Sequence, residues 1–185
     1  MSDNEGKEKI IAAVRELLQE GCPPENITVR KIAQRAQVGI GTVSYHFHSK
    51  DELVYEAVAG QMTQLAGELK PDVGGGSAFE RMRQFFYHTG ELALRYSTIF
   101  RIQLSYEMVH GDMSICYYIT PLLKEHFAGA KSDLEIKLIA LQMITAMQVI
   151  LLKMEEFQRY SGLDVHDKRQ REEALDILLA TAVGR

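Results

Sequence analysis

Two short helical patterns separated by about four residues constrain this chain more than any other feature. Thr28 can cap the first, which runs through Ala36; the second runs from about Gly41 to Phe47, with Gln37 to Ile40 between them. A connection this short holds two helices at a steep angle, as in a helix-turn-helix. Ala33 supplies a small side chain where the helices must approach closely, and Ile32, Val38 and Val43 supply apolar contacts. Phe47 can close a small three-helix core. Tyr45 is expected to pack its ring there while its hydroxyl reaches a phosphate. Gly41 leaves the backbone bare at the start of the second helix, so that a neighbouring surface can come close. Thr42, Ser44, Tyr45 and His46 each bring a hydrogen-bond donor, and phosphate oxygens need donors. Lys50 opens the next helix, whose first amides also favour an anion.

Charge agrees with a local rather than a general affinity for nucleic acid. The chain of 185 residues has a formal net charge of −4 and 46% hydrophobic residues, the balance of an ordinary globular protein. Yet Arg30, Lys31, Arg35 and Lys50 lie between Thr28 and Lys50 with no acidic residue among them. A basic segment on an acidic protein is a more specific signal than uniform basicity.

The rest of the chain is helical in pattern. Ile10, Ile11, Val14, Leu17 and Leu18 mark one face of a first helix, which Pro23 and Pro24 end. Ser49 with Glu52, Ser77 with Glu80 and Ser132 with Glu135 have the spacing of capping boxes. They open a helix to Leu69, a helix over 78–96 and a long helix to about Tyr160. Further helices are expected over 98–110, 113–127 and 166–182. The segment KPDVGGGS reads as a linker. The sequence therefore predicts an all-α protein of about nine helices. Its expected domains are an N-terminal three-helix DNA-binding domain over 1–50, a connecting helix over 51–70 and a C-terminal helical bundle over 77–185.

The segment ITVRKIAQRAQVGIGTVSYHFHSKDELV, Ile27 to Val54, resembles the DNA-binding domain of the TetR/AcrR family of bacterial transcription regulators. The features that carry the resemblance are Thr-Val-Arg, Ile32-Ala33, the Gly-Thr pair, Tyr-His-Phe and Ser-Lys-Asp-Glu-Leu. With the first helix they span about 60 residues; the remainder matches in length and helical layout alone. The resemblance implies that Arg30 reaches a base edge, where arginine's fork suits guanine. It also implies that Ile40 and Gly41 stand at the entry of the recognition helix, and that Thr28, Thr42, Ser44, Tyr45, His46 and Lys50 belong to the DNA-contacting set. Three positions depart from the family pattern. Gln37 replaces a common turn glycine, Ile40 a polar or basic residue, and Ser44 a second tyrosine. Ile40 would touch a thymine methyl rather than donate a hydrogen bond.

Ten of the 15 aromatic residues fall between Phe79 and Phe127. Most are core, but the excess together with Met82, Met108 and Met113 also suits a bundle that holds a small molecule. The candidate ligand residues are Met82, Phe86, Phe100, Gln103, Tyr106, Glu107, His110 and Tyr117. No cluster of basic residues accompanies them, so the expected ligand is apolar or aromatic. Glu107 and His110 have the spacing of a di-iron helix, but no second such pair occurs, and neither a metal nor a cofactor is expected. No nucleophile elbow, phosphate loop or paired-cysteine motif appears, and enzymatic activity has no support.

The long helix and the last one are apolar on more than one face. The resemblance implies that such helices pair with their copies in a homodimer, with Leu151, Leu175, Leu178 and Leu179 as candidate dimer residues. The apolar run Leu138 to Leu152 is interrupted by Gln142, Thr145 and Gln148 and is read as too short for a membrane span. With two distant cysteines and no N-terminal leader pattern, a cytoplasmic location is expected. The expected function is a ligand-responsive transcription regulator, a repressor released from a near-palindromic operator by a small organic effector. The alternative is a dimeric small-molecule binding protein whose helix-turn-helix no longer reads DNA.

Overall fold

The computed structural model describes residues 3–69 and 75–184. Among them are ten α-helices and two short 3-10 helices, and no strand. They are α1 (Asp3–Gln19), α2 (Val29–Ala36), α3 (Ile40–His46), α4 (Lys50–Glu68), α5 (Ala78–Arg95) and α6 (Ser97–His110), then α7 (Thr120–Phe127), α8 (Asp133–Leu152), α9 (Met154–Ser161) and α10 (Lys168–Val183). The 3-10 helices are Pro24–Asn26 and Ser114–Tyr118. Most of the expected linker lies in 70–74, outside the described residues.

The chain forms two compact units. The first comprises Met1–Gln64 and Thr98–His110, the second Leu65–Ser97 and Gly111–Arg185. The chain thus leaves the second unit to build α6 into the first and then returns.

In the first unit α1, α2 and α3 enclose Ile10, Val14, Ile27, Ile32, Val43 and Phe47, all at most 3% exposed. Leu53, Val54, Ala57 and Val58 of α4 and Ile102 of α6 complete that core. Arg15 Nε donates to the Ala57 carbonyl at 2.8 Å, which fastens α1 to α4. Thr28 caps α2 by accepting from the Lys31 amide. At the other end α2 closes in a Schellman turn: the Gln37 amide donates to Gln34 and the Val38 amide to Ala33. Gln37 takes the left-handed conformation there, with φ 55°.

In the second unit α5 packs on α7 and α10, and α8 packs on α7 and α10. The Ser77–Glu80 and Ser132–Glu135 capping boxes form with both reciprocal hydrogen bonds. At α4 the reciprocity shifts by one residue. Ser49 accepts from the Glu52 amide, but Glu52 accepts from the amide of His48.

Two expected helices are broken. The 113–127 helix is a 3-10 turn followed by α7, because Pro121 at the start of α7 has no amide to continue the preceding turn. The long helix stops at Lys153, whose φ of −129° and ψ of 47° leave the helical region before α9 restarts. Helix α8 is 20 residues long and by length and composition apolar enough to cross a bilayer, longer than the run Leu138 to Leu152 suggested. Its Ile136, Ala140, Met143, Ile144, Met147 and Leu151 are nevertheless buried in the bundle.

Candidate functional site

The α2–α3 pair presents an unevenly used surface. Its inner side is core, with Ile32, Ala33, Val43 and Phe47 all buried. Its outer side carries Ile40 at 53% and Tyr45 at 73% exposure, together with exposed Gly41 and Ser44. The expected packing of the Tyr45 ring is thereby corrected. Of the two rings Phe47 enters the small core, and Tyr45 lies outside it, edge-on to the His46 ring at 5.1 Å. Thr42 and His46 are half-buried between the two sides. A Cβ added at Gly41 would meet nothing within 4 Å. No neighbour among the described residues therefore calls for glycine at this helical position, where glycine costs about 1 kcal/mol against alanine. The residue makes sense if something outside approaches its backbone.

The basic residues of this segment are also unequal. Arg35 is committed within the unit: it forms a two-pronged pair with Glu20, both bonds 2.8 Å, and reaches Glu16 at 3.3 Å. The Glu20 and Glu16 carboxylates raise its pKa further, and the guanidinium lowers that of Glu20. Lys31 Nζ donates to the Asn26 carbonyl at 2.9 Å. Lys50 Nζ turns back to the Pro24 carbonyl at 3.3 Å and lies 3.7 Å from Asp51. Arg30 is exposed and has no partner among the described residues.

The eight expected ligand residues are divided between the two units. Met82 and Phe86, at 0% and 2% exposure, are buried in the second unit, Phe86 beside α10, and Tyr117 is 62% exposed on the second 3-10 helix. The α6 residues belong to the first unit, and Phe100 among them is buried. Gln103, Tyr106, Glu107 and His110 meet each other and one residue that the sequence did not single out, Tyr55 of α4. The rings of Tyr55 and Tyr106 stack at 4.1 Å, and that of His110 leans on Tyr106 at 4.6 Å. Glu107 accepts from the Tyr55 hydroxyl and from Gln103 Nε2, each at 2.9 Å. Burial raises the pKa of Tyr55; the Gln103 hydrogen bond opposes this and Glu107 adds to it. Glu107 is thus occupied in joining α6 to α4. The sequence signal for this was the four-residue spacing of Gln103 and Glu107, which puts both on one side of α6.

The expected dimer residues are largely consumed within one chain. Leu151, Leu175 and Leu179 are 8%, 7% and 2% exposed, and Leu178 is half-buried. Their side chains fill the bundle between α5, α8 and α10, which leaves little of them for a second copy. The apolar side chains left outside on the same helices are Leu134, Leu138 and Val149 of α8 and Ile177 of α10.

Residues 10–57 match the family model of bacterial regulatory proteins, tetR family. No curated protein matches the chain. Among solved structures, a TetR-like transcriptional regulator from Rhodococcus sp. RHA1 superposes with a TM-score of 0.56 at 13% identity, covering 96% of this chain and 93% of that one. A protein of Pseudomonas aeruginosa PAO1 proposed as a transcriptional regulator gives 0.54 at 22% identity, with 100% and 95% coverage. A gamma-butyrolactone receptor gives 0.51 at 17% identity, with 98% and 99% coverage. At these identities the likeness is one of fold, and it extends over both units. The helix-turn-helix segment thus matches the tetR family of bacterial regulatory proteins in sequence over residues 10–57, and the whole chain is similar in fold to the regulators named above.

Proposed function

We propose that this transcription regulator acts as a homodimeric repressor, released from a near-palindromic operator by a small organic effector. The observation that carries the DNA-binding part is the outer side of α3. Ile40, Gly41, Ser44 and Tyr45 are exposed together, and no side-chain hydrogen bond among the described residues holds them. Two such helices, one per protomer, suit successive major grooves. Arg30 is free to reach a base edge, and Lys50 stands at the amino end of α4, where a phosphate is favoured. The exposed apolar residues Leu134, Leu138 and Val149 recur along one side of α8, and with Ile177 they supply a face for a second copy.

Effector control rests on α6. Through Tyr55, Gln103 and Glu107 this helix is hydrogen-bonded to α4, the helix that begins at Lys50. A molecule that displaces α6 therefore acts on the helix next to the DNA-facing residues. The effector can shift the equilibrium only by its differential affinity for the two arrangements.

The test is fluorescence anisotropy with a labelled duplex from the region upstream of the gene, over a range of salt concentrations. Affinity should fall with salt and should exceed that for a scrambled duplex. Equal and salt-independent binding to both duplexes, or none, would remove the DNA-binding reading.

A further inference from the structure

The first unit holds a cleft of about 340 Å³ between the Pro24–Asn26 turn, the first turn of α4 and one side of α6. We propose that this cleft binds a small organic acid carrying one negative charge and an apolar body, and that the bound acid holds Lys50 away from DNA. The inference rests on the DNA-binding reading for its second half only.

The cleft has the size and mixed lining of a small-molecule site, at the lower end of the usual range of about 300–1,000 Å³. Its apolar part comes from Val54 and Ile102, both buried, with Tyr106 and Val109 above them. Its polar part is asymmetric. The α6 wall carries Arg101 and His110 and no carboxylate. Arg101 has no hydrogen-bond or ion-pair partner among the described residues. An arginine left open beside an apolar surface suits a carboxylate, which its fork can hold with two hydrogen bonds. The opposite wall sets the limit on charge: Glu25 and Asp51 line it beside Lys50, so a second negative charge would meet repulsion. A monocarboxylate with an aliphatic or aromatic tail satisfies both walls.

Lys50 makes the cleft regulatory. Its side chain is 32% exposed and already bends inward to the Pro24 carbonyl. A carboxylate in the cleft strengthens that inward position, because a charged acceptor outcompetes a neutral carbonyl for the ammonium. Tyr106 lines the cleft on one side and stacks on Tyr55 on the other, so the same ligand presses on the joint between α4 and α6.

The test uses octanoate and its neutral counterpart octanamide, titrated calorimetrically into the full-length protein and into Arg101→Gln. Octanoate should bind, octanamide roughly tenfold or more weakly, and Arg101→Gln should abolish that preference. Methyl NMR locates the site: octanoate should shift Val54 and Ile102 and leave Met82 unmoved. Equal binding of acid and amide, an unchanged preference in Arg101→Gln, no octanoate binding at millimolar concentration, or shifts at Met82 alone each overturn the proposal. A labelled random-sequence duplex reads the second half, since phosphate contacts carry no sequence information. Octanoate should weaken duplex binding by about fivefold or more in the wild type but not in Arg101→Gln. If octanoate binds as described and duplex affinity does not change, the link to Lys50 is wrong. If no duplex is bound even without octanoate, the DNA-binding reading is wrong and the cleft stands.

Discussion

Tyr55 and Tyr106 stack face to face at 4.1 Å with their planes 21° apart, and the Tyr55 hydroxyl donates to Glu107, one residue beyond Tyr106. One aromatic ring thus makes both an apolar and a polar contact across α4 and α6. Tyr55→Phe keeps the stack and removes a donor, and Glu107 retains Gln103. The expected loss of stability is about 1 kcal/mol, the ordinary net value of a hydrogen bond. The coupling between effector and DNA should fall as well. Urea unfolding together with anisotropy in the presence of effector would check this; a variant with unchanged coupling would separate the joint from regulation.

Gln37 carries the strain of the α2–α3 turn. A side chain at φ 55° costs about 1 kcal/mol relative to glycine, and the Schellman hydrogen bonds hold it there. Gln37→Gly should therefore raise the stability of the folded protein by about that amount. The measurement is the midpoint of chemical denaturation, and a midpoint that moves down would show that the Gln37 side chain makes a compensating contact.

The outer surface of α3 predicts a separation of stability from DNA affinity. Tyr45 is 73% exposed, so Tyr45→Ala should leave thermal unfolding within about 0.5 kcal/mol of the wild type while weakening operator binding. Lys50→Ala should weaken binding to all sequences alike and lower the salt slope. Arg30→Ala should relax preference at one base position by about 1–3 kcal/mol. Competition against a set of singly substituted operators distinguishes the last two. A Lys50 variant with altered sequence preference and unaltered affinity would reverse the assignment.

Burial separates two leucines that look alike in sequence. Leu175 is 7% exposed within one chain and Leu138 is 55% exposed. Leu175→Glu should cost several kcal/mol and unfold the second unit, because it buries an unpaired charge. Leu138→Glu should retain full helicity by circular dichroism and sediment as a monomer at micromolar concentration. A dimeric Leu138→Glu would place the interface elsewhere.

Glu135 gives the protein an acid limb. The Ser132 amide first, then the Lys131 ammonium and the Ser132 hydroxyl, hold its carboxyl down at about 2, against an ordinary 4.5. A carboxyl depressed in the folded state contributes stability that is fully present above its unfolded value and is lost as pH falls through the folded one. The loss should therefore run from about pH 4.5 to about pH 2. Thermal unfolding of Glu135→Gln across that range should show a flatter limb than the wild type. Parallel limbs would mean that other carboxyls dominate acid unfolding.

Local chemistry made much of this molecule legible in sequence. Thr28, Ser77 and Ser132 cap helices that begin where their spacing placed them, since a cap depends on residues within one turn. The departure at Gln37 pointed to a strained turn for the same reason. Distant chemistry was not legible. Arg35 counted as part of a basic patch because its partners Glu16 and Glu20 lie on another helix. Periodicity marks an apolar face without saying what covers it. Leu175 and Leu138 therefore read alike, and α6 read as part of the bundle although it packs in the first unit. The break at Lys153 has neither proline nor glycine to announce it.

The commitments of Arg35, Lys31 and Lys50 inside the first unit bear on how this regulator would fare in a cell under osmotic stress. Arg35 is neutralised by two carboxylates, and the two lysines turn their ammonium groups toward carbonyls of their own chain. With Arg35 neutralised, fewer cations are left to displace counterions from the duplex than the sequence counts, and each phosphate neutralised contributes about 0.9 to the logarithmic salt slope. Swings in intracellular potassium should therefore loosen this protein's hold on DNA less steeply than that of a more basic repressor.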